Sequence, residues 1–226
     1  MAISAPHYRC LQELYHRKQL PQGGVILEVG QASWYGDISP DIVPRDLTVH
    51  ELYKQLFDQV AVVAIDLHGD ADALKLNLND PIALNEQFSV VFNHGTAEHI
   101  FDIARVFRTI HAHCEQGGLM IHESPLTGWF DHGFWNLQPT VYYDLAATND
   151  YTIPYMAVTH IDHNTVVEIQ SRDQLRTMVR KGGLPNNTQL FVALRKESDA
   201  AFKIPMQGLY SEGVDQETLR AWKELR

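Results

Sequence analysis

The sequence predicts an α/β fold: a single doubly wound, mostly parallel sheet with helices on both faces. Three observations carry this reading. Short apolar, β-branched runs alternate with stretches whose apolar residues keep helical spacing. The segments that follow the runs are much richer in His, Asp, Glu, Trp and Gly than the runs themselves. No internal repeat, low-complexity segment or linker interrupts the pattern, so the 226 residues are read as one domain.

The elements follow in order. Ser4–Leu20 is an amphipathic helix with Tyr8, Leu11, Leu14 and Tyr15 on one face, stopped by Pro21 and Gly23–Gly24. Val25–Gly30 opens the stretch Val25–Asp37 (VILEVGQASWYGD), and reads as a buried strand ending in a tight turn under a ligand. After a loop through Pro40 and Pro44, Asp46 caps a helix whose stripe is Val49, Leu52, Tyr53 and Leu56. Val60–Asp66 is a second strand ending in an acid, His68–Asp72 a polar turn, and the alternation over Leu74–Leu78 a third strand. Phe88–Asn93 is a fourth strand, followed by a helix carrying Ile100, Ile103, Ala104, Phe107 and Ile110 that Gly117–Gly118 closes. Leu119–His122 is a fifth strand, and Pro139–Asn149 a helix with proline at its start. Tyr151–Ile161, Val166–Ile169 and Gln189–Arg195 complete the strands. Short helices carry Leu175, Met178 and Val179, and then residues Asp215–Arg226.

Composition narrows the function. Apolar content of 45% and charged content of 20% are ordinary for a soluble globular chain. No apolar run is long enough to span a bilayer, and the N-terminal residues lack the pattern of a secretory signal. Two cysteines, Cys10 and Cys114, exclude a disulfide scaffold and suit a reducing cytoplasm. A formal net charge of −10 argues against nucleic acid. The expected partner is a small-molecule substrate, with no nucleic acid and no membrane, and a homodimer is left open.

In doubly wound sheets, ligands sit beyond the carboxyl ends of the strands. Gly30, Gln31, Ala32 and Ser33 follow the first strand, and Asp66 ends the second, where a carboxylate can accept from a ribose diol. Glu28 would be costly to bury without a partner, so it is expected to bond a backbone amide near the site or a ligand. The G-x-G-x-x-G fingerprint and the P-loop are both absent, which leaves a nucleoside cofactor without phosphates.

These residues resemble a class I S-adenosylmethionine-dependent methyltransferase. Glu28-Val29-Gly30 matches the family's acid-x-glycine motif, and Asp66 matches the acid ending its second strand. Asn93–His99 resembles the fourth-strand segment of small-molecule members, and Gly117–Gly118 their glycines before strand five. The resemblance implies a Rossmann-like fold with S-adenosylmethionine as cofactor. The cofactor would be held by Glu28, Gly30, Gln31, Ser33, Asp66, Asn93 and Gly95, with Asp72 (or Asn77) near the adenine. Trp34 would lie at the methionine end of the cofactor, facing the substrate.

The acceptor side is expected in residues 126–150. There Gly128 and Gly133 bracket a loop containing Trp129, Asp131, His132, Phe134, Trp135 and Asn136, and they would give it the freedom to close as a lid. Glu123 and Tyr143 are further candidate substrate contacts. His132 is the candidate base, with His99 and His122 behind it. Of the 12 histidines, His7, His16, His50, His68, His111 and His113 are read as surface residues. No pair has H-E-x-x-H spacing and no metal is expected. A metal-dependent hydrolase or lyase using the His/Asp/Glu cluster, and a non-catalytic nucleoside-binding module, are the alternatives to methyl transfer.

Overall fold

A computed structural model describes residues 2–36, 42–43, 47–58, 60–211 and 213–224. Its strands are β1 (Ala2–Ile3), β2 (Gly24–Val29), β3 (Ser33–Trp34), β4 (Val60–Ile65), β5 (Phe88–His94), β6 (Cys114–Thr127), β7 (Tyr151–His160), β8 (Thr165–Glu168) and β9 (Thr188–Lys196). Its helices are α1 (Ala5–His16), α2 (Val49–Leu56), α3 (Ile103–His113), α4 (Pro139–Asn149), α5 (Arg172–Arg180), α6 (Gly208–Ser211) and α7 (Gln216–Glu224), with a 3₁₀ turn at Ala97–His99.

The main sheet has seven strands in the order β4-β2-β5-β6-β9-β7-β8. β4, β2, β5 and β6 pair in parallel, and β9 runs antiparallel between β6 and β7. β8 closes the far edge as an antiparallel hairpin with β7. Five of the seven strands therefore point one way, as the sequence predicts. β1 and β3 form a separate parallel pair, Ala2 opposite Ser33 and Ile3 opposite Trp34.

Alternation along each strand feeds two cores. Leu27, Val29, Val91 and Met120 face one side, against Val106, Phe107 and Ile110 of α3 and Tyr142 and Leu145 of α4. Ile26, Val90, Phe92 and Ile121 face the other, against Leu11 and Leu14 of α1 and Leu52 and Tyr53 of α2. From β2 the chain goes outward to β4, then returns to place β5 on the other side of β2. The order thus reverses between β2 and β5, and a crevice opens beyond their carboxyl ends. No helix among the described residues is long and apolar enough to cross a membrane.

Several boundaries differ from expectation for local reasons. Leu74–Leu78 is not a strand. Leu74 makes a single bridge with Ile65, then Leu76 N donates back to Leu74 O and Asn79 N to the Asn77 side chain, so the segment folds into turns. Gly117–Gly118 does not close α3, because β6 begins directly at Cys114. Gly117, at φ +84°, sits where the β5–β6 pairing shifts register between Phe88 and Val90. α2 is capped by Thr48, in a reciprocal capping box with Glu51. Asp46, the expected cap, lies outside the described residues, as do Pro40, Pro44, Leu225 and Arg226. Tyr15 is half exposed rather than part of the buried face of α1.

Candidate functional site

Two carboxylates hold the turn after β2. Glu28 is fully buried. Its Oε1 accepts from the Tyr53 hydroxyl at 2.8 Å and its Oε2 from the Ala32 amide at 3.1 Å. Burial pushes this carboxyl above its ordinary value, and the two hydrogen bonds work against the rise. Asp66, at the tip of β4, accepts from Gln31 N at 2.9 Å and from His68 N at 2.7 Å. Partial burial pushes the Asp66 carboxyl up, but the amides of His68 and Gln31 outweigh it and hold the group below the usual carboxylate range. Gln31 and Asp70 bond reciprocally across the same crevice, side chain to side chain at 2.6 Å and Asp70 N to Gln31 Oε1 at 2.8 Å.

Gly30 has φ +91°, and its N–H donates to Ile65 O at 2.8 Å. A Cβ there would overlap the Thr96 hydroxyl and lie 3.1 Å from the Thr96 Cβ. The sequence assigned this glycine to close approach of a ligand. The close neighbour is instead Thr96, which brings the β2 turn against the segment after β5. Two adjoining hollows flank residues 31–33. One, about 410 Å³, is lined by Asp66, His68 and Asp70, and the other, about 600 Å³, by Trp34, Leu47 and His50. Trp34 is turned back, its Nε1 donating to Leu47 O at 2.6 Å, so the indole forms a wall rather than filling the crevice.

The second constellation follows β5. Asn93 is buried and caps the 3₁₀ turn, its Oδ1 accepting from Thr96 N and Ala97 N at 3.3 and 3.0 Å. That turn presents Glu98 and His99. Glu98 is 1% exposed and its Oε2 has no hydrogen-bond partner among the described residues, while its Oε1 lies 3.9 Å from His132 Nε2. Burial pushes the Glu98 carboxyl up to about 8; its own backbone amide opposes the rise and the charge of Glu123 adds to it. The His99 and His132 rings are 4.9 Å apart, and ligand atoms of Glu98, His99 and His132 all lie within 4.8 Å of one another. Burial and the neighbouring His132 lower the pKa of His99.

His132 is brought here by the loop after β6, which is pinned rather than hinged. Phe134 N and Trp135 N donate to Glu98 O at 2.8 and 3.3 Å, and Trp135 Nε1 to Ile100 O at 3.0 Å. Trp129 Nε1 donates to Thr188 O at 3.0 Å, and Asn136 Nδ2 to Gly128 O at 2.9 Å. A Cβ on Gly133 would come 2.9 Å from Glu98 O, and one on Gly128 would come 2.8 Å from Asn187 N. The glycines expected as hinges are therefore packing positions. Beside His132 a hollow of about 470 Å³ opens between Trp129–His132 and Asn186–Asn187. Phe101, Phe130 and Phe134 stand exposed around this loop.

No protein-family model matches the chain, and no curated protein matches it in sequence. Its fold has counterparts among solved structures. The N-methyltransferase NodS of Bradyrhizobium japonicum WM9, solved with S-adenosyl-L-homocysteine, is 11% identical, covers 84% of this chain and 86% of its own, and superposes with a TM-score of 0.51. A protein of Bacillus halodurans C-125, described provisionally as a methyltransferase, is 10% identical, covers 83% and 99%, and gives 0.50. The fold is that of a class I methyltransferase.

Within this methyltransferase fold the predicted residues divide. Gly30, Gln31, Ser33, Trp34 and Asp66 meet at one crevice, and His99 and His132 meet at Glu98. Gly95, at φ +80°, lies beneath that carboxylate, a Cβ there falling 3.2 Å from Glu98 Oε1. Trp129, Phe134, Trp135 and Asn136 build the adjacent loop. Four candidates are misplaced. His122 is buried beside Phe107 and Tyr142, bonded to the Asn93 amide, and burial lowers its pKa to about 3, so it is a core histidine and not a site base. Glu123 is buried against His7 and cannot meet a substrate. Tyr143 packs under the Arg172 guanidinium, 4.7 Å from its ring centroid, and lines none of the three hollows. Asp72 is exposed and lines neither hollow at the β2 turn, although Asp70, which accepts its N–H, lines both. His7, His111 and His113 are buried rather than on the surface, His111 bonded to the Tyr151 hydroxyl and His113 to Thr109 O and Leu84 N. Sequence reasoning missed Tyr53, Thr96 and Asp70 as parts of the site. Tyr53 was legible only as part of a helix stripe, and Thr96 carried no signal at all.

Proposed function

We propose that this protein transfers the methyl group of S-adenosylmethionine to a small-molecule acceptor. The observation that supports it most is the crevice at the β2–β4 tips. There a positive-φ glycine turn, clamped from below by Glu28 and from the side by Asp66, borders open space of the size a nucleoside ligand needs. Each Asp66 oxygen holds one backbone amide and keeps further acceptor capacity for a ribose hydroxyl. Trp34 stands aside as a wall, so the residues present fit the cofactor. The bound cofactor supplies an electrophilic methyl on a sulfonium sulfur.

The acceptor is placed by this reading over Glu98, His99 and His132. The Gly30–Thr96 contact joins that segment to the cofactor turn, so the two groups of residues are next to each other. The pinned aromatic loop would orient the acceptor, and the half-exposed His132 would take the proton that a hydroxyl or amine loses as its lone pair forms the new bond to carbon. S-adenosylhomocysteine titrated calorimetrically should bind at one site. Absence of both heat and a thermal shift at millimolar ligand would defeat the reading.

A further inference from the structure

We infer that Glu98, His99 and His132 form a binding site for one divalent transition-metal ion of the zinc class. Two imidazoles and a carboxylate on two separate segments converge with their ligand atoms within 4.8 Å of one another. A tetrahedral ion with bonds of about 2.1 Å needs ligands about 3.4 Å apart. His132 Nε2 and Glu98 Oε1 are already at 3.9 Å, and His99 and His132 are exposed enough to rotate through the remainder.

Glu98 provides an independent pointer. It is buried at the floor of the cluster, and its Oε2 has no hydrogen-bond partner among the described residues. A buried carboxyl oxygen left without a partner carries a desolvation cost that coordination of a metal ion would relieve. Among the described residues no Lys or Arg forms an ion pair with it; the titratable side chain nearest its Oε1 in that way is His132, at 3.9 Å. Two nitrogen ligands favour zinc-like ions over magnesium or calcium, which prefer all-oxygen sets. Three protein ligands leave a fourth position for water or a substrate oxygen. An ion there would take over from His132 the handling of the acceptor's proton, because metal-bound water is far more acidic than bulk water. A second histidine pair, buried His160 stacked on exposed His163 at 4.4 Å, belongs to no such cluster among the described residues and serves as the comparison.

The site does not depend on the cofactor assignment, and the test keeps the two apart. The full chain, stripped with chelator, is titrated with Zn²⁺ by calorimetry, and separately with S-adenosylhomocysteine. One equivalent of Zn²⁺ should bind. His99→Ala, His132→Ala and Glu98→Gln should each weaken it at least about tenfold, and His163→Ala should leave it unchanged. The first two alter exposed side chains, and thermal melting verifies that all three variants are folded. Cobalt substituted for zinc should give the visible bands of a tetrahedral site in the wild type and lose them in His132→Ala. No stoichiometric Zn²⁺ binding, or binding that survives all three substitutions or disappears with His163→Ala, overturns the site. Zinc binding without S-adenosylhomocysteine binding would support the metal site and defeat the methyl-transfer reading.

Discussion

Asp66→Ala separates a cofactor ligand from a mere turn clamp. The carboxylate accepts two backbone amides, at 2.9 Å from Gln31 and 2.7 Å from His68. Hydrogen bonds to a charged group are worth roughly 1.5–3 kcal/mol each. Asp66 is only partly buried, so water replaces much of what is lost, and the expected destabilisation is about 1–2 kcal/mol for the pair. A ribose bond lost in addition costs roughly 1.5–3 kcal/mol, which weakens S-adenosylhomocysteine about 10- to 150-fold. Asp66→Asn keeps one carbonyl acceptor and should fall between wild type and alanine in both quantities. Urea denaturation measures the first and calorimetric titration the second, on the same preparation. An Asp66→Ala protein that loses stability as expected yet binds S-adenosylhomocysteine like wild type would show that the carboxylate only ties two turns together.

Gly30→Ala should be destabilised by about 1–2 kcal/mol from its positive φ and by a further 1–3 kcal/mol from overlap with Thr96. Thr96→Ala in the same chain should recover the overlap part; strict additivity in denaturant unfolding would refute that contact. His132→Ala should lower turnover about a hundredfold, whether His132 acts as base or as metal ligand, while S-adenosylhomocysteine affinity holds; a parallel loss of thermal stability and activity would reduce it to a structural histidine. His122 stays neutral in the folded protein down to about pH 3, whereas it protonates near pH 6.5 once unfolded. Its contribution is therefore complete above pH 6.5 and drains away as pH falls toward 3, and His122→Gln should flatten that acid limb relative to wild type.

The fold was readable because its signals are local. β-branched runs such as Val60–Ile65 and Phe88–His94, and the 3.6-residue stripes of α2 and α3, report directly on which side of a sheet each residue lies. The crevice was readable for the same reason, since Gly30 and Asp66 end adjacent strands. The assignments that failed depend on what each side chain meets across the fold. Glu123 and His122 are neighbours in sequence, yet alternation sends them to opposite faces, one against His7 and the other into the α3–α4 core. Leu74–Leu78 alternates like a strand, and only the Asx turn at Asn77, visible in three dimensions, breaks the pairing. The cluster at Glu98 joins residues from a 3₁₀ turn and a distant loop, a meeting that no spacing within either segment could reveal.

The pairing of β1 with β3 places the first residues of the chain alongside the loop that leaves the Gly30 turn, Ala2 opposite Ser33 and Ile3 opposite Trp34. A group attached at Ala2 would therefore sit at the wall of the crevice. The same proximity is useful for measurement: a dye attached next to Ala2 would lie close to Ser33 and Trp34, and its emission would follow occupancy of the crevice without any change to the residues that form it.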